Sequence, residues 1–247
     1  MALLMTIVQA HAQTGLGNFQ KVDSENGNKI VFATDEAKVQ LEFCTPSLVR
    51  IRSIWDGDFS KNEPWMVVKY DWPEVIYTAK ESEATISYST ESLNILIHKT
   101  PFFVTISDKE GKVLTSEADQ DKILGSSKNQ DTVNVTKKLF PDEHFFGFGE
   151  RMDFLDRRGK ALRLNVGRGQ GRPHIVGAYD VLQANYSPVP FFMSTRGYGI
   201  FLHNANPTNW DMGHNNPETY SFSAEGGELD YYFMYGPDFS SILDTYT

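Results

Sequence analysis

The chain has 247 residues and a formal net charge of −9, and 40% of its residues are hydrophobic and 13% aromatic. This length can bury one large core, and large all-β domains often reach this size undivided. The acidic balance argues against nucleic acid and anionic membranes as partners, because phosphate groups are bound by clustered Lys and Arg. The single cysteine, Cys44, excludes an intrachain disulfide, and its apolar neighbours predict a buried thiol.

Residues 1–12 form a short apolar stretch that ends in Ala10-His11-Ala12, a pattern typical of signal-peptidase sites. We interpret this stretch as the remnant of a signal peptide that lacks its basic region, and we predict export to the periplasm or the outside. An ordinary disordered N-terminus is the alternative. The stretch is too short to span a bilayer, and no later stretch approaches that length.

Alternating apolar residues predict strands along the first half of the chain. They fall at residues 30–32, 39–43, 49–51, 86–88, 93–97 and 102–106. Strict alternation of apolar and polar residues in 39–43 implies a half-buried strand. The same alternation continues at 49–52, where Val49 and Ile51 alternate with Arg50 and Arg52. Residues 108–111 (Asp-Lys-Glu-Gly) predict a hairpin turn. The irregular segment 63–73 shows no assignable pattern, and the polar stretch 116–130 predicts a surface loop.

The second half adds strand patterns at 133–135, 191–193, 198–202, 220–222 and 231–235, with a long loop at 204–217. So many short strands predict an all-β fold, a large antiparallel β-sandwich. The one helical pattern comes last, with Asp238 as N-cap and apolar residues at 239, 242, 243 and 246. A helix this short is marginal alone and is expected to present an apolar stripe that needs a partner.

Between these halves, residues 144–165 combine aromatic residues, glycines and charges. The run Phe146-Gly147-Phe148-Gly149 predicts an extended segment whose rings pack on one side, and glycine permits another backbone or a ligand to approach closely. Glu150, Arg151, Asp153, Asp156 and Arg157 then crowd together. Such a cluster either pairs internally or lines a cleft.

Three motifs in order resemble the N-terminal domain of glycoside hydrolase family 31, which contains retaining α-glucosidases and α-xylosidases. The motifs are Phe146-Gly147-Phe148-Gly149-Glu150-Arg151 with Leu155-Asp156-Arg157-Arg158-Gly159, then Val189-Pro190-Phe191-Phe192-Met193-Ser194 with Gly197-Tyr198-Gly199-Ile200-Phe201, and Glu225-Gly226-Gly227-Glu228-Leu229-Asp230-Tyr231-Tyr232-Phe233 with Tyr235-Gly236-Pro237-Asp238. The resemblance implies a galactose mutarotase-like sandwich over residues 20–236. It also implies that residues 237–247 are a truncated linker helix towards a (β/α)₈ barrel that this chain lacks.

Retaining glycosidases need two carboxyl groups about 5–5.5 Å apart. In the family both are aspartates of the barrel, so the resemblance implies that this chain contains no catalytic residue and is inactive alone. We assign Glu150, Asp153 and Asp156 a supporting role only. The neighbouring arginines would lower the pKa values of these carboxyl groups, which is the wrong direction for a general acid.

The resemblance also places a substrate-facing loop after Leu164. Many members have Asn-Thr-Asp there, whereas this chain has Asn165-Val166-Gly167, so the asparagine is kept and the carboxylate is missing. This substitution puts ordinary α-glucosidase specificity in question. The predicted substrate-binding residues are Asn165, Arg168, Arg172, His174 and Asp180. An arginine would suit an anionic or otherwise substituted sugar, and solvated loop side chains are the alternative.

The implied function is that of a subsite-shaping domain in a retaining α-glycosidase of the α-glucosidase, α-xylosidase or α-galactosidase type. Its partners would be an α-linked oligosaccharide or glycoside and the barrel of the same polypeptide, with no cofactor and no metal. The alternative is a free-standing carbohydrate-binding or aldose-epimerase-like sandwich, using His144, His174, His203 or His214 with a Glu. His203 is rather expected to satisfy a core hydrogen bond, and no histidine spacing fits a metal signature. An unpartnered stripe on the last helix would favour the glycosidase hypothesis.

Overall fold

The computed structural model describes residues 13–61, 64–119, 122–123, 125–151, 153–165 and 187–247. Within these ranges the chain forms twenty strands and one helix. Eight strands build the largest sheet: β1 (Phe19–Asn26), β2 (Lys29–Thr34), β3 (Lys38–Thr45), β4 (Leu48–Ile54), β14 (Phe145–Glu150), β16 (Ser187–Ser194), β17 (Tyr198–Leu202) and β20 (Leu229–Tyr235). Their order is β1-β2-β3-β4-β20-β17-β16-β14, with antiparallel neighbours throughout.

Two five-stranded antiparallel sheets cover this large sheet. The first contains β5 (Thr78–Glu81), β6 (Thr85–Ser89), β7 (Leu93–Lys99), β8 (Phe102–Asp108) and β9 (Val113–Ser116), in that order. The second contains β12 (Gly125–Asn129), β13 (Thr132–Lys138), β15 (Ala161–Leu164), β18 (Thr208–Asp211) and β19 (Thr219–Ala224), in the order β12-β13-β19-β18-β15. The remaining elements are β10 (Ala118–Asp119), β11 (Lys122–Ile123) and the helix α1 (Phe239–Tyr246).

The main core lies between the inward faces of these sheets. Phe32, Phe43 and Phe192 of the large sheet, Ile95 of the first small sheet and Phe222 of the second are all fully buried in one apolar cluster. The alternation of apolar and polar residues places the apolar side of each strand in this cluster. The predicted all-β antiparallel sandwich is therefore confirmed.

The expectation of half-buried strands at β3 and β4 was wrong. Every residue of β4 is buried, including Arg50 and Arg52, because the outer face of the large sheet is also covered. A second apolar cluster lies there, formed by Cys44, Leu48, Phe191, Phe201, Tyr232, Met234 and Ile242, with Val67 and Trp72 packed against it. The segment around Trp72 and the helix α1 thus form a partial third layer that the alternation pattern could not indicate. Cys44 is buried, as predicted.

A charged network lies on the same outer face. Arg50 Nε and Nη2 donate to the two Asp230 carboxylate oxygens at 3.0 and 2.7 Å, and His203 Nδ1 lies 3.0 Å from Asp230 Oδ2. The His203 side chain is fully buried, which confirms its predicted role in a core hydrogen bond. Burial alone would raise the pKa of Asp230, but the hydrogen bonds from Arg50 and His203 outweigh it and hold this pKa below its ordinary value of 3.8.

The depressed pKa of Asp230 predicts a pH dependence of stability. The Asp230 carboxylate binds a proton more readily in the unfolded chain than in the folded one. The stabilisation of the fold by ionised Asp230 is therefore complete above pH 3.8 and is lost as the pH falls below it. We expect Asp230→Asn to be less stable than the wild type at neutral pH, with a difference that shrinks below pH 3.8. Urea unfolding at several pH values measures this, with the exposed Asp244→Asn as control. A difference that stays constant with pH would contradict the prediction.

The polar stretch 116–130 is not a surface loop. It forms β10, β11 and β12, and Ser116, Glu117, Ser126 and Ser127 are buried. Glu117 lies inside the sandwich because Lys137 Nζ contacts its Oε1 at 2.9 Å and the Val104 N–H donates to its Oε2 at 3.1 Å. Paired polar side chains thus occupy core positions that composition alone assigns to solvent.

The last helix begins as predicted, since the Asp238 side chain accepts a hydrogen bond from the Ser241 N–H at 2.8 Å. Its apolar stripe, however, is not unpartnered. Ile242 is fully buried against the large sheet, and the Tyr246 ring stacks on Phe191 with centroids 4.1 Å apart. Leu243 is 40% exposed. The helix therefore offers no argument for a missing partner.

The glycine-rich run of β14 contains a bulge that separates its two aromatic rings. Phe148 has a φ of +72° and packs in the main core against Trp210, while Phe146 packs on Phe239 of the helix. The prediction that both rings lie on one side was wrong, because the register shift between Gly147 and Gly149 reverses the facing of Phe148. The predicted close approach is confirmed, as a Cβ on Gly147 would lie 2.9 Å from Phe192 Cα.

Candidate functional site

The charges that follow β14 pair with one another instead of lining a cleft. Asp153 lies between two arginines: Arg151 Nε is 3.3 Å from its Oδ2, and Arg157 Nη1 contacts its Oδ1. Asp156 Oδ2 is 2.6 Å from His144 Nδ1. Internal pairing, one of the two sequence interpretations, is therefore the observed arrangement.

The carboxyl groups of this loop do not form an acid/base pair. Burial acts to raise the pKa of Asp156, but hydrogen bonds from the Arg158 N–H and His144 outweigh it, so this pKa is lowered as predicted. Asp153 is held by its arginines, and Glu150 is exposed. A general acid needs a raised pKa, so the Asp156 carboxyl group does not have the environment of one.

Asn165, the predicted substrate-binding residue that the structure describes, lines a cleft of about 200 Å³. The cleft lies where β15 ends, β16 begins and β17 leads to β18. It is lined by Met66, Leu164, Asn165, Pro188, Pro190, Asn204, Ala205, Asn206, Pro207 and Thr208. The half-buried Asn165 carboxamide makes no hydrogen bond to any of the described residues. Apolar walls with a few amides suit a neutral polar ligand such as a sugar.

Asn204 holds the far wall of this cleft in place. Its Nδ2 donates to the carbonyl oxygens of Gly226 and Glu228 at 2.8 and 2.9 Å, and its Oδ1 accepts from the Asn206 N–H at 2.8 Å. The sequence analysis identified the 204–217 loop but not this role. The adjacent asparagines were the available signal, since Asn side chains often bond nearby backbone in turns.

The other four predicted site residues, Arg168, Arg172, His174 and Asp180, lie outside the described residues. The same holds for the glycine-rich run 167–173 and for the interpreted leader 1–12. Their roles stay predictions. Asn165, which lines the cleft, is the last described residue before 166–186, and Ser187 is the first after it.

The histidines of the described ranges do not form an epimerase-type site. His203 is buried between Asp230 and Tyr70, whose hydroxyl is 3.2 Å from its Nε2, His144 pairs with Asp156, and exposed His214 contacts the Gly159 carbonyl. None of these three side chains hydrogen-bonds to a glutamate in the described part of the chain. Across the described part of the chain, no three His, Cys, Asp or Glu side chains converge as metal ligands, and no helix there is both long and apolar enough to cross a bilayer.

A large antiparallel sandwich does not by itself define a function, because one fold serves many activities. Comparison with known families defines the class: residues 38–211 match the family model described as the glycosyl hydrolase 31 N-terminal galactose mutarotase-like domain. The chain belongs to glycoside hydrolase family 31, as the domain that stands at the N-terminal side of its members.

Relatives of known name support this membership. Alpha-glucosidase 2 of Bacillus thermoamyloliquefaciens is 31% identical over 219 residues, which is 87% of this chain and 27% of the relative. The structure of a dextranase of this family from Flavobacterium johnsoniae, complexed with isomaltotriose, has 35% identity and a TM-score of 0.83 over 94% of this chain and 28% of that one. The cycloalternan-forming enzyme of Listeria monocytogenes, at 24% identity and a TM-score of 0.76 over 96% of this chain and 22% of that one, shows the shared fold alone. The chain thus spans about a quarter of the length of these relatives.

Proposed function

We propose that this chain is the subsite-shaping domain of a retaining glycosidase that acts on α-linked oligosaccharides, and that the reacting carboxylates belong to a barrel of the same polypeptide. The observation that carries the proposal is the cleft in which Asn165, the first residue of the loop that the resemblance places towards the substrate, lies beside Met66, Pro188 and Asn206. In this role the domain orients the sugar and excludes water, while the bond is broken elsewhere.

The ligand chemistry follows from the walls of the cleft. Among the residues that the structure describes, the lining supplies amide and hydroxyl groups from Asn165, Asn206 and Thr208 beside the apolar surfaces of Met66 and three prolines, and none of these side chains is charged. Neutral sugars present hydroxyl groups and apolar ring faces, which match such a lining. The relatives act on or bind α-linked glucose and xylose compounds by their names, and isomaltotriose is the matching probe.

Replacing Asn165 by Ala is expected to weaken isomaltotriose binding about three- to tenfold, because a neutral hydrogen bond contributes about 0.5–1.5 kcal/mol. NMR titration of the 247-residue chain with isomaltotriose measures this change. Asn94→Ala is the matched control, since this half-buried asparagine lies on β7 of the other small sheet. Equal affinity in the Asn165→Ala and wild-type proteins, or no binding by the wild type, would contradict the proposed site.

The catalytic activity of the isolated chain can be assayed directly. The isolated chain is expected to hydrolyse neither aryl α-glucosides nor aryl α-xylosides, and not to accelerate the mutarotation of α-glucose. Mutarotation by the chain would replace the proposal with the epimerase alternative. Hydrolysis would show that the reacting carboxylates are in this chain.

A further inference from the structure

The outer face of the second small sheet presents polar side chains in aligned rows across its strands. One row runs across all five strands through the register Arg163, Asn209, Ser223, Asn134 and Ser127, and the next runs through Ala161, Asp211, Ser221, Thr136 and Gly125. On β15, the inward neighbours Leu162 and Leu164 are buried in the core. On β13, β18 and β19 this face presents mainly short amide and hydroxyl side chains. Arg163 and Asp211 are charged, and Ser127 of β12 is buried.

This face contains a cleft of about 350 Å³ that adjoins the Asn165 site. It is lined by residues of β15, β18 and β19 and of the turn after β18: Ala161, Leu162, Arg163, Asn209, Trp210, Asp211, Asn215, Ser221 and Ser223. Asn165, Arg163 and Ala161 alternate along β15 and its end, so they lie on the same side. At about 3.3 Å per residue, the span from Asn165 in the first cleft to Ala161 in the second is about 13 Å.

The charged groups on this face already have hydrogen-bond partners within the chain. Arg163 Nη2 lies 3.1 Å from Glu225 Oε2, and Asn209 Nδ2 donates to Glu225 Oε1 at 3.3 Å. Asp211 accepts from the backbone N–H groups of Gly213 and His214 at 3.0 and 2.7 Å. The Ser221 hydroxyl has no hydrogen-bond partner among the described residues. Paired charges with a free hydroxyl fit a neutral, hydroxyl-rich ligand better than an ion.

We propose that an α-linked glucan held at the Asn165 cleft continues over the outer face of β15, β18 and β19, where Arg163, Asn209 and Ser221 contact its further sugar units. This inference rests on the proposed function and extends it, because it assigns the chain a preference for long glucans over short ones. A sheet face that is merely solvated would show the same polar alternation but no dependence on glucan length.

The test compares a long and a short probe. Ser221→Arg fills the second cleft and leaves Asn165 unchanged. Ser87→Arg is the matched control, because this serine lies on the outer side of β6 in the other small sheet. Affinity electrophoresis in gels that contain dextran measures long-chain binding, and NMR titration measures isomaltotriose. Asn209→Ala is a second variant with little steric effect, and thermal unfolding verifies that each variant is folded.

We expect Ser221→Arg to weaken dextran retention about fivefold, as for the loss of about 1 kcal/mol, with isomaltotriose affinity unchanged. Asn209→Ala should act in the same direction, and Ser87→Arg should have no effect. Unchanged dextran retention in both Ser221→Arg and Asn209→Ala, with Asn165→Ala still weakening isomaltotriose, would overturn the extended track and leave the proposed function intact. Equal loss in Ser87→Arg would also overturn it. No binding of either probe by the wild type would overturn the proposed function itself.

Discussion

Lys137→Met is expected to lower the free energy of unfolding by about 3–5 kcal/mol, because it leaves the Glu117 charge buried without its partner. Both side chains are only 1% exposed, and Lys137 Nζ lies 2.9 Å from Glu117 Oε1. The Tyr231 hydroxyl also donates to this oxygen, at 3.3 Å. The Tyr231 hydroxyl and the Val104 N–H are neutral donors, so they satisfy lone pairs of the Glu117 carboxylate but cannot balance its charge.

An exposed ion pair provides the control for this prediction. Lys38 Nζ lies 2.8 Å from Asp58 Oδ1, almost the same distance, yet these side chains are 40% and 92% exposed. Lys38→Met should therefore have a much smaller effect on the free energy of unfolding than Lys137→Met. Urea unfolding followed by circular dichroism compares the two variants. The double variant Lys137→Met with Glu117→Gln should recover part of the loss, since it removes the buried charge. Equal effects of the two single variants would refute the argument from burial.

Gly149→Ala is expected to destabilise the fold by about 3 kcal/mol, from two additive causes. Gly149 has a φ of +76°, a left-handed conformation that costs an L-residue about 1–2 kcal/mol. In addition, the new Cβ would contact the Ser187 carbonyl oxygen and lie 2.8 Å from the Val189 nitrogen. Because these atoms belong to the paired backbone of β16, they cannot move aside cheaply, and overpacking adds about 1–3 kcal/mol.

Gly159→Ala separates the two causes. Gly159 has a nearly equal φ of +73°, but an added Cβ there meets nothing within 4 Å. This variant should show the conformational cost alone, and the difference between the two midpoints in urea measures the steric part. Gly149→Ala should also weaken isomaltotriose binding, because Pro188 of the displaced strand lines the Asn165 cleft. A loss of stability in Gly149→Ala no larger than that in Gly159→Ala would show that the backbone of β16 can shift to accommodate the added Cβ.

The proposed role in α-glycoside hydrolysis depends on a small number of contacts. Four separate parts of the chain, around Met66, Asn165, Pro188 and Asn206, meet at one cleft, and Asn204 anchors the last of them through Gly226 and Glu228. Because the anchoring bonds go to backbone carbonyls of the turn that leads into β20, the geometry of the cleft is coupled to the large sheet. Rigid support of this kind is what orientation of a substrate requires.

Much of the fold could be predicted from local patterns. Alternation at 93–97 and 102–106 indicated β7 and β8, the run 108–111 indicated the turn after them, and Asp238 indicated the start of the helix. These features depend on neighbours two to four residues apart, which the sequence displays directly. The motifs beginning at Phe146, Val189 and Glu225 likewise indicate the family from the sequence alone.

The sequence by itself thus determined the strands with clear alternation, the fold class and the family of this protein, because period-two alternation and short motifs are local. Only the tertiary structure decided that Arg50 pairs with Asp230, that Phe148 turns into the core, and that Glu117 is buried beside Lys137. It also assembled the Asn165 cleft from Met66, Pro188 and Asn206. These outcomes depend on which distant strands become neighbours and where a bulge shifts their register, and neither is encoded in the adjacent residues.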